Sequence, residues 1–333
     1  MDKAKIKKAS AIFGVILGVY AALIAVCTFF DLEISKAINV MGEGKYYPEN
    51  FFGRVFETIG VIPVYAVTSL ALSIIFHFVM RENSCGKKAK IICGVIAAAI
   101  CVALGYKMFK QSFGYIAIHF GFDYMLGGVT DEIAYVLAGA ISTAALLYLM
   151  KDVSDDFLNK TFRWAIVVLF TAAISQAIVQ SVKVFAGRAR YATLNVAGSF
   201  DEYTPWYIFG GKRVPSDELL TFGAGKDAYR SFPSGHSAAS AVSLTLMLLP
   251  MCFGIKKDKV SFWLLTILPV VFTLGTMISR VIEGAHFCTD VLFGSLASIL
   301  GIYVGVIVSP LITKNLKLSD KSVKKRVVEE IIS

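Results

Sequence analysis

Three short polar clusters interrupt an otherwise apolar chain, and their residue types describe anion chemistry. They are Lys183 to Tyr191, which carries Lys183, Arg188 and Arg190; Phe232-Pro233-Ser234-Gly235-His236; and Ser279 to Asp290, which carries Arg280, Glu283, His286 and Asp290. Lys183, Arg190 and Arg280 supply fixed positive charge, and the two arginines add forked donors that match phosphate oxygens. The Pro233-Ser234-Gly235-His236 turn is expected to open a helix, where free backbone N–H groups and the helix dipole favour an anion and Gly235 allows close backbone approach. His286 and Asp290 stand four apart, so on a helix they share a face, and the carboxylate can hold the imidazole N–H and fix its tautomer. This makes His286 the expected nucleophile. His236, at the mouth of another helix, is then the expected general acid toward a leaving oxygen.

The elements that must position these residues belong in a bilayer. Of 333 residues, 56% are hydrophobic and only 17% charged, which no soluble globular domain of ordinary composition shows. Apolar runs near the ~20 residues needed to cross a bilayer fall at about 11–30, 58–80, 91–107, 132–150, 164–183, 236–254, 262–280 and 288–309. The expected fold is all-α, a polytopic membrane helix bundle of about eight transmembrane helices. Residues 1–160 form an N-terminal membrane extension of about four spans. Residues 161–312 form the core around the loop 184–235, and 313–333 a basic tail.

The net charge of +9 would suggest nucleic acid in a soluble protein, but here the Lys and Arg residues alternate between loops. With the N-terminus inside, segments 1–10, 81–90, 151–163, 255–260 and 310–333 hold 4, 4, 3, 3 and 6 of them, 20 of 33 in all. The outer segments 31–57, 108–130 and 184–235 hold 3, 1 and 6. By the positive-inside rule both termini are cytoplasmic and the 184–235 loop is extracytoplasmic, so nucleic acid is not an expected partner. Five of six cysteines lie in or beside apolar runs and Cys85 in an inner loop, which indicates neither disulfides nor a metal site. The apolar start is too long for a signal peptide and lacks a small-x-small cleavage site, so it is read as the first span.

In that topology the fifth span runs outward to Lys183 and the sixth starts from outside at His236. The seventh then ends outside at Arg280 and the eighth begins near His286. All three clusters therefore meet at one face. A single Arg at a span end is commonly a snorkelling anchor and Pro-Ser-Gly commonly a plain helix start. Several ionisable groups converging at membrane depth point instead to function.

Together, Lys183-x6-Arg190, Pro233-Ser234-Gly235-His236 and Ser279-Arg280-x5-His286-x3-Asp290 resemble the three-part signature of the phosphatidic acid phosphatase type 2 superfamily. Tyr191 and Ala189 stand where members of that family usually carry Pro. The resemblance implies a core made of the last four spans and hydrolysis of phosphomonoesters through a phosphohistidine, with no metal or other cofactor. It implies His286 as nucleophile, Asp290 as its orienting partner and His236 as general acid. Lys183, Arg190, Ser234, Gly235 and Arg280 are implied as phosphate ligands.

The expected function is hydrolysis of a lipid phosphate or diphosphate, of the undecaprenyl diphosphate or phosphatidate type, at the extracytoplasmic face. The rival readings are transfer of the phosphoryl or headgroup to another acceptor, and a non-catalytic lipid-phosphate transporter or scaffold. Intact His236, His286 and Asp290 count against the last. Several further residues take the bland reading: Gln176 and Gln180 as interhelical hydrogen-bonders, Arg188, Arg230 and Glu283 as loop charges as readily as second-phosphate contacts, and His77 and His119 as core or loop histidines. Trp206, Tyr203 and Tyr207 read as an interfacial belt, and the Gly14/Gly18 and Gly301/Gly305 pairs as helix contacts.

Overall fold

The computed structural model describes residues 3–39, 46, 50–82, 86–121, 128–225, 227–314 and 316–318; Cys85 and most of the basic tail lie outside them. The chain is an all-α polytopic bundle. Among the described residues, eight helical stretches are long and apolar enough to cross a membrane. The elements are α1 (Lys3–Ile38), α2 (Phe51–Ile59), α3 (Ile62–Arg81), α4 (Lys87–Phe120), α5 (Val129–Leu149) and α6 (Asp155–Ala186). After the short helices α7 (Tyr191–Val196) and α8 (Asp217–Thr221) come α9 (Gly235–Ala241), a 3₁₀ stretch (Val242–Leu248) and α10 (Leu249–Phe253), which make one span. Helices α11 (Val260–Ile282) and α12 (Cys288–Ile312) follow.

The centre of the bundle is the α6–α12 pair, and glycine makes it possible. A Cβ on Gly301 would lie 2.7 Å from the Cα of Thr171, and one on Gly305 would lie 2.9 Å from the Cα of Val167. Small residues at this spacing let the two backbones touch, as the small-residue pattern leads one to expect in a membrane. Gly14 and Gly18 match the same pattern and meet nothing within 4 Å, so the pattern alone does not mark a contact. Gly105 and Gly139 bring α4 and α5 together in the same way, although no motif announces them.

Helix ends set the site. Ser154 caps α6 by accepting from the Phe157 N–H at 3.1 Å, and Asp155 and Asp156 complement the dipole in the first turn. At the other end Gly187 adopts φ +58, the left-handed C-cap conformation, and turns the chain into Arg188. The N–H groups of Gly210 and Gly211 then satisfy the carbonyls of Ala186 and Phe185, at 2.9 and 3.1 Å, so the long loop folds back onto the helix end. Helix α4 has 34 residues, which at about 1.5 Å each exceeds the ~30 Å hydrocarbon core. Its last turn carries His119.

Candidate active site

His286 is buried, 1% exposed, in the tight turn between α11 and α12. Its backbone N–H and that of Ala285 both bond to the Arg280 carbonyl at 3.1 Å, which ties the turn to the end of α11. The ring Nδ1 lies 2.6 Å from the main-chain oxygen of Ser231. A carbonyl only accepts, so Nδ1 carries the proton and Nε2 keeps a free lone pair. Burial pushes the imidazole well below its usual range, to about 3; the cationic Lys183 and Arg190 act in the same direction, and Asp290 opposes. His286 is thus neutral at physiological pH.

Asp290 was expected to hold that imidazole directly. It sits 3.7 Å from Nδ1, and the short bond goes to Ser231 instead. The carboxylate is otherwise engaged: it accepts from the Phe287 N–H at 2.8 Å, which caps α12, from the Ser231 hydroxyl at 2.5 Å and from Arg188 Nη1 at 2.5 Å. Asp290 therefore holds Ser231 by its side chain while Ser231 holds His286 by its main chain. Arg188, 1% exposed, is no solvated loop charge. It bonds Asp290, the Thr289 hydroxyl at 2.9 Å and Asp31 of α1 at 2.9 Å, and stacks over the Phe287 ring at 4.3 Å. Asp31 in turn accepts from the Thr289 N–H at 3.0 Å.

The Pro-Ser-Gly turn is locked against this network. Ser234 donates its N–H to the Asp290 carbonyl at 2.9 Å and caps α9 through its hydroxyl, which accepts from the Ser237 N–H at 3.3 Å. Gly294 of α12 lets the turn come this close: a Cβ there would lie 2.2 Å from the Ser234 carbonyl oxygen. A Cβ on Gly235 would lie 3.7 Å from Lys183 Nζ, so the lysine of α6 hangs beside the opening of α9. His236, the next residue, has Nε2 3.2 Å from the main-chain oxygen of Glu57 and its ring 5.6 Å from that of Tyr115.

Arg190 and Arg280 line one internal cavity with Tyr46, Glu57, His119, Ala192, Glu283 and Ala285. The Nε atoms of both arginines are buried without a hydrogen-bond partner. Two unanswered cationic donors on a shared cavity call for an anion. Arg280 was expected to offer its whole fork to phosphate. Instead Nη2 binds Glu57 at 2.8 Å and Nη1 binds Glu283, and Nε is the one nitrogen left without a partner. An arginine only 2% exposed needs such counter-charges. Burial, aided by Glu57 and opposed by Arg280, raises the Glu283 carboxyl above its usual range. Arg190 is the N-cap residue of α7, so Tyr191 takes the first helical position, where Pro is favoured because that N–H has no helical partner. Tyr191 fits there by packing against Phe200 and Phe287, with ring centroids 5.4 and 6.4 Å apart.

All eight expected site residues fall at one end of the bundle. Spacing within the core does not reveal Ser231, which acts through a carbonyl, or Asp31, Glu57 and His119, which come from the N-terminal helices. Nor does the sequence single out Arg188, whose reading as a loop charge or a second-phosphate contact is replaced by the buried pairs with Asp31 and Asp290. His77 keeps the bland reading, with Nε2 3.0 Å from the Leu147 carbonyl. Trp206 is more than a belt residue: its indole donates to Thr28 of α1 at 2.8 Å and packs on Phe293 at 4.5 Å.

No curated protein and no solved structure matches the chain. Residues 164–315 match the family model described as the PAP2 superfamily, so the part of the chain that carries all three motifs is similar to that superfamily, as their resemblance implied.

Proposed function

We propose that the protein is a membrane phosphatase that hydrolyses a lipid phosphate or diphosphate through a phosphohistidine on His286. The observation that carries this reading is the state of His286: buried, neutral, with its proton fixed on Nδ1 by Ser231 and Nε2 left as a base. Nε2 attacks phosphorus, and the bond from phosphorus to the lipid oxygen breaks. That oxygen takes a proton from His236. Lys183, Arg190, Arg280 Nε and the N–H groups opening α9 stabilise the equatorial oxygens. Water, deprotonated by His236, then attacks the phosphohistidine and releases inorganic phosphate with His286 restored.

Phosphate release from a panel of lipid phosphates and diphosphates, by purified protein in detergent, tests the reading. The carboxylates around the site are each bound to an arginine, Asp31 and Asp290 to Arg188, Glu57 and Glu283 to Arg280, which leaves few free oxygen ligands for Mg²⁺. Activity is expected to survive EDTA and to fall with vanadate. Loss with chelator and return with Mg²⁺ would contradict the mechanism.

The site faces the extracytoplasmic side in this proposal, because the lysine-rich loops lie at the opposite helix ends. A cysteine placed at the exposed Lys212 in a background without other cysteines is expected to react with a membrane-impermeant maleimide in intact cells. Reaction only after permeabilisation would reverse the orientation.

A further inference from the structure

Glu57 sits at the start of the second span, far from the core in sequence, and is the point where three of the site's side chains meet. Its carboxylate takes Arg280 Nη2 at 2.8 Å on one oxygen and faces His119 Nε2 at 3.0 Å on the other. Its main-chain oxygen lies 3.2 Å from His236 Nε2. Glu57 is 5% exposed and lines one cavity with Arg190 and Arg280, whose buried Nε atoms have no hydrogen-bond partner. Glu283 clamps the other Nη of Arg280, so the guanidinium is held from both sides and Nε is its one nitrogen without a partner.

We infer that Glu57, delivered by the N-terminal helices, is a positioning residue of the phosphatase site, which fixes the guanidinium of Arg280 so that Nε meets the substrate's phosphate. This rests on the proposed phosphatase reading. It gives the N-terminal spans a role that the three motifs leave unexplained: the core's oxyanion site is complete only with a carboxylate from outside the core. The physical reason is preorganisation. An arginine free to swing must be ordered when the phosphate arrives, whereas one clamped beforehand meets developing charge without that cost. His119 stands beside the second oxygen of Glu57, with Nε2 at 3.0 Å.

The test uses the full chain in detergent, with Glu57→Ala, Glu57→Gln, Arg280→Ala and the Glu57→Ala/Arg280→Ala double variant, assayed on an aryl phosphate and an alkyl lipid phosphate and for vanadate inhibition. Glu57→Ala is expected to lower kcat/KM by about 10- to 100-fold and to weaken vanadate. The loss should be equal for both substrates, because the backbone carbonyl that faces His236 remains. Glu57→Gln keeps an acceptor for Nη2 and should lose less. Arg280→Ala and the double variant should be equally impaired, since the two residues act as one unit. If the losses multiplied in the double variant, or if Glu57→Ala matched wild type while His286→Ala was inactive, the positioning role would be refuted with the phosphatase reading intact. Should Glu57→Ala fail to fold, Glu57→Gln carries the same comparison; full vanadate sensitivity and full activity in that variant would refute it. An active His286→Ala variant would instead refute the phosphatase reading itself.

Discussion

His286→Ala is expected to abolish phosphate release, with a loss of at least ~10⁴-fold. The size of the effect follows from the absence of a substitute. His236, the other histidine of the motifs, is turned to the Glu57 carbonyl and packed beside Tyr115, on a different helix opening. The buried Asp290 is bound by Arg188, Ser231 and the Phe287 N–H and has no open oxygen to offer as a nucleophile. His236→Ala should differ in kind: its loss should be smaller on an aryl phosphate or a diphosphate, whose leaving groups need no proton. The pH dependence separates the roles further. Burial pushes the His286 pKa down to about 3, so its protonated fraction stays negligible down to mildly acid pH. Once the substrate's own ionisation is allowed for, the rate of covalent labelling by an aryl phosphate should show no acid limb at the ~6.5 of an ordinary histidine. Such a limb in the wild type, vanishing in no other variant, would contradict the neutral buried state assigned to His286.

Arg188→Ala is expected to be the most damaging substitution for the fold. The guanidinium joins two buried carboxylates, Asp31 of α1 and Asp290 of α12, and both are at most 1% exposed. Removing it leaves two negative charges facing each other away from water, and breaking a buried pair of this kind costs about 3–5 kcal/mol. The apparent melting midpoint in detergent should drop, and activity should fall with it, because Asp290 anchors Ser231 and Ser231 anchors His286. Arg188→Lys keeps the charge but not the fork that reaches Asp31 and Asp290 together, so it should be intermediate. A melting midpoint for Arg188→Ala within a degree or so of wild type would show that the triad contributes little. Asp31→Asn provides the complementary arm, since it weakens one side of the triad and leaves the Asp290 pair in place.

What could be read from sequence and what could not divide along the range of the interactions. The His286 and Asp290 spacing, the Pro-Ser-Gly-His helix opening and the Lys183 and Arg190 pair are local patterns, but only the second lies where helix geometry puts it: His286 stands in the turn before α12, not on the helix with Asp290, and Arg190 is the extended N-cap of α7, beyond the helix that carries Lys183. The tautomer holder is not legible: a main-chain carbonyl has no residue signature, so spacing points to Asp290, the visible acid, for the bond that Ser231 makes. Glu57 pairs with a residue 223 positions away, and Asp31 with one 157 positions away. Neither separation carries a period or motif, and an acid at a span end looks like any interfacial charge. His119 carries no signal for the same reason, whereas His77 has the commonplace partner of a lone histidine, a backbone carbonyl on a neighbouring helix. The helix contacts show the converse: Gly301 and Gly305 pack on α6 while the equally spaced Gly14 and Gly18 meet nothing, so spacing proposes a contact that only the partner helix decides.

The central claim is that phosphate passes through His286, and the most direct measurement is covalent trapping. Wild-type protein mixed with radiolabelled lipid phosphate in EDTA, quenched within a turnover and denatured, is expected to retain an acid-labile, base-stable label that maps to the peptide containing His286. The label should chase to inorganic phosphate in excess unlabelled substrate and be absent from His286→Ala. Label of the same stability on the His286→Ala protein, or its mapping to His236, would contradict the account.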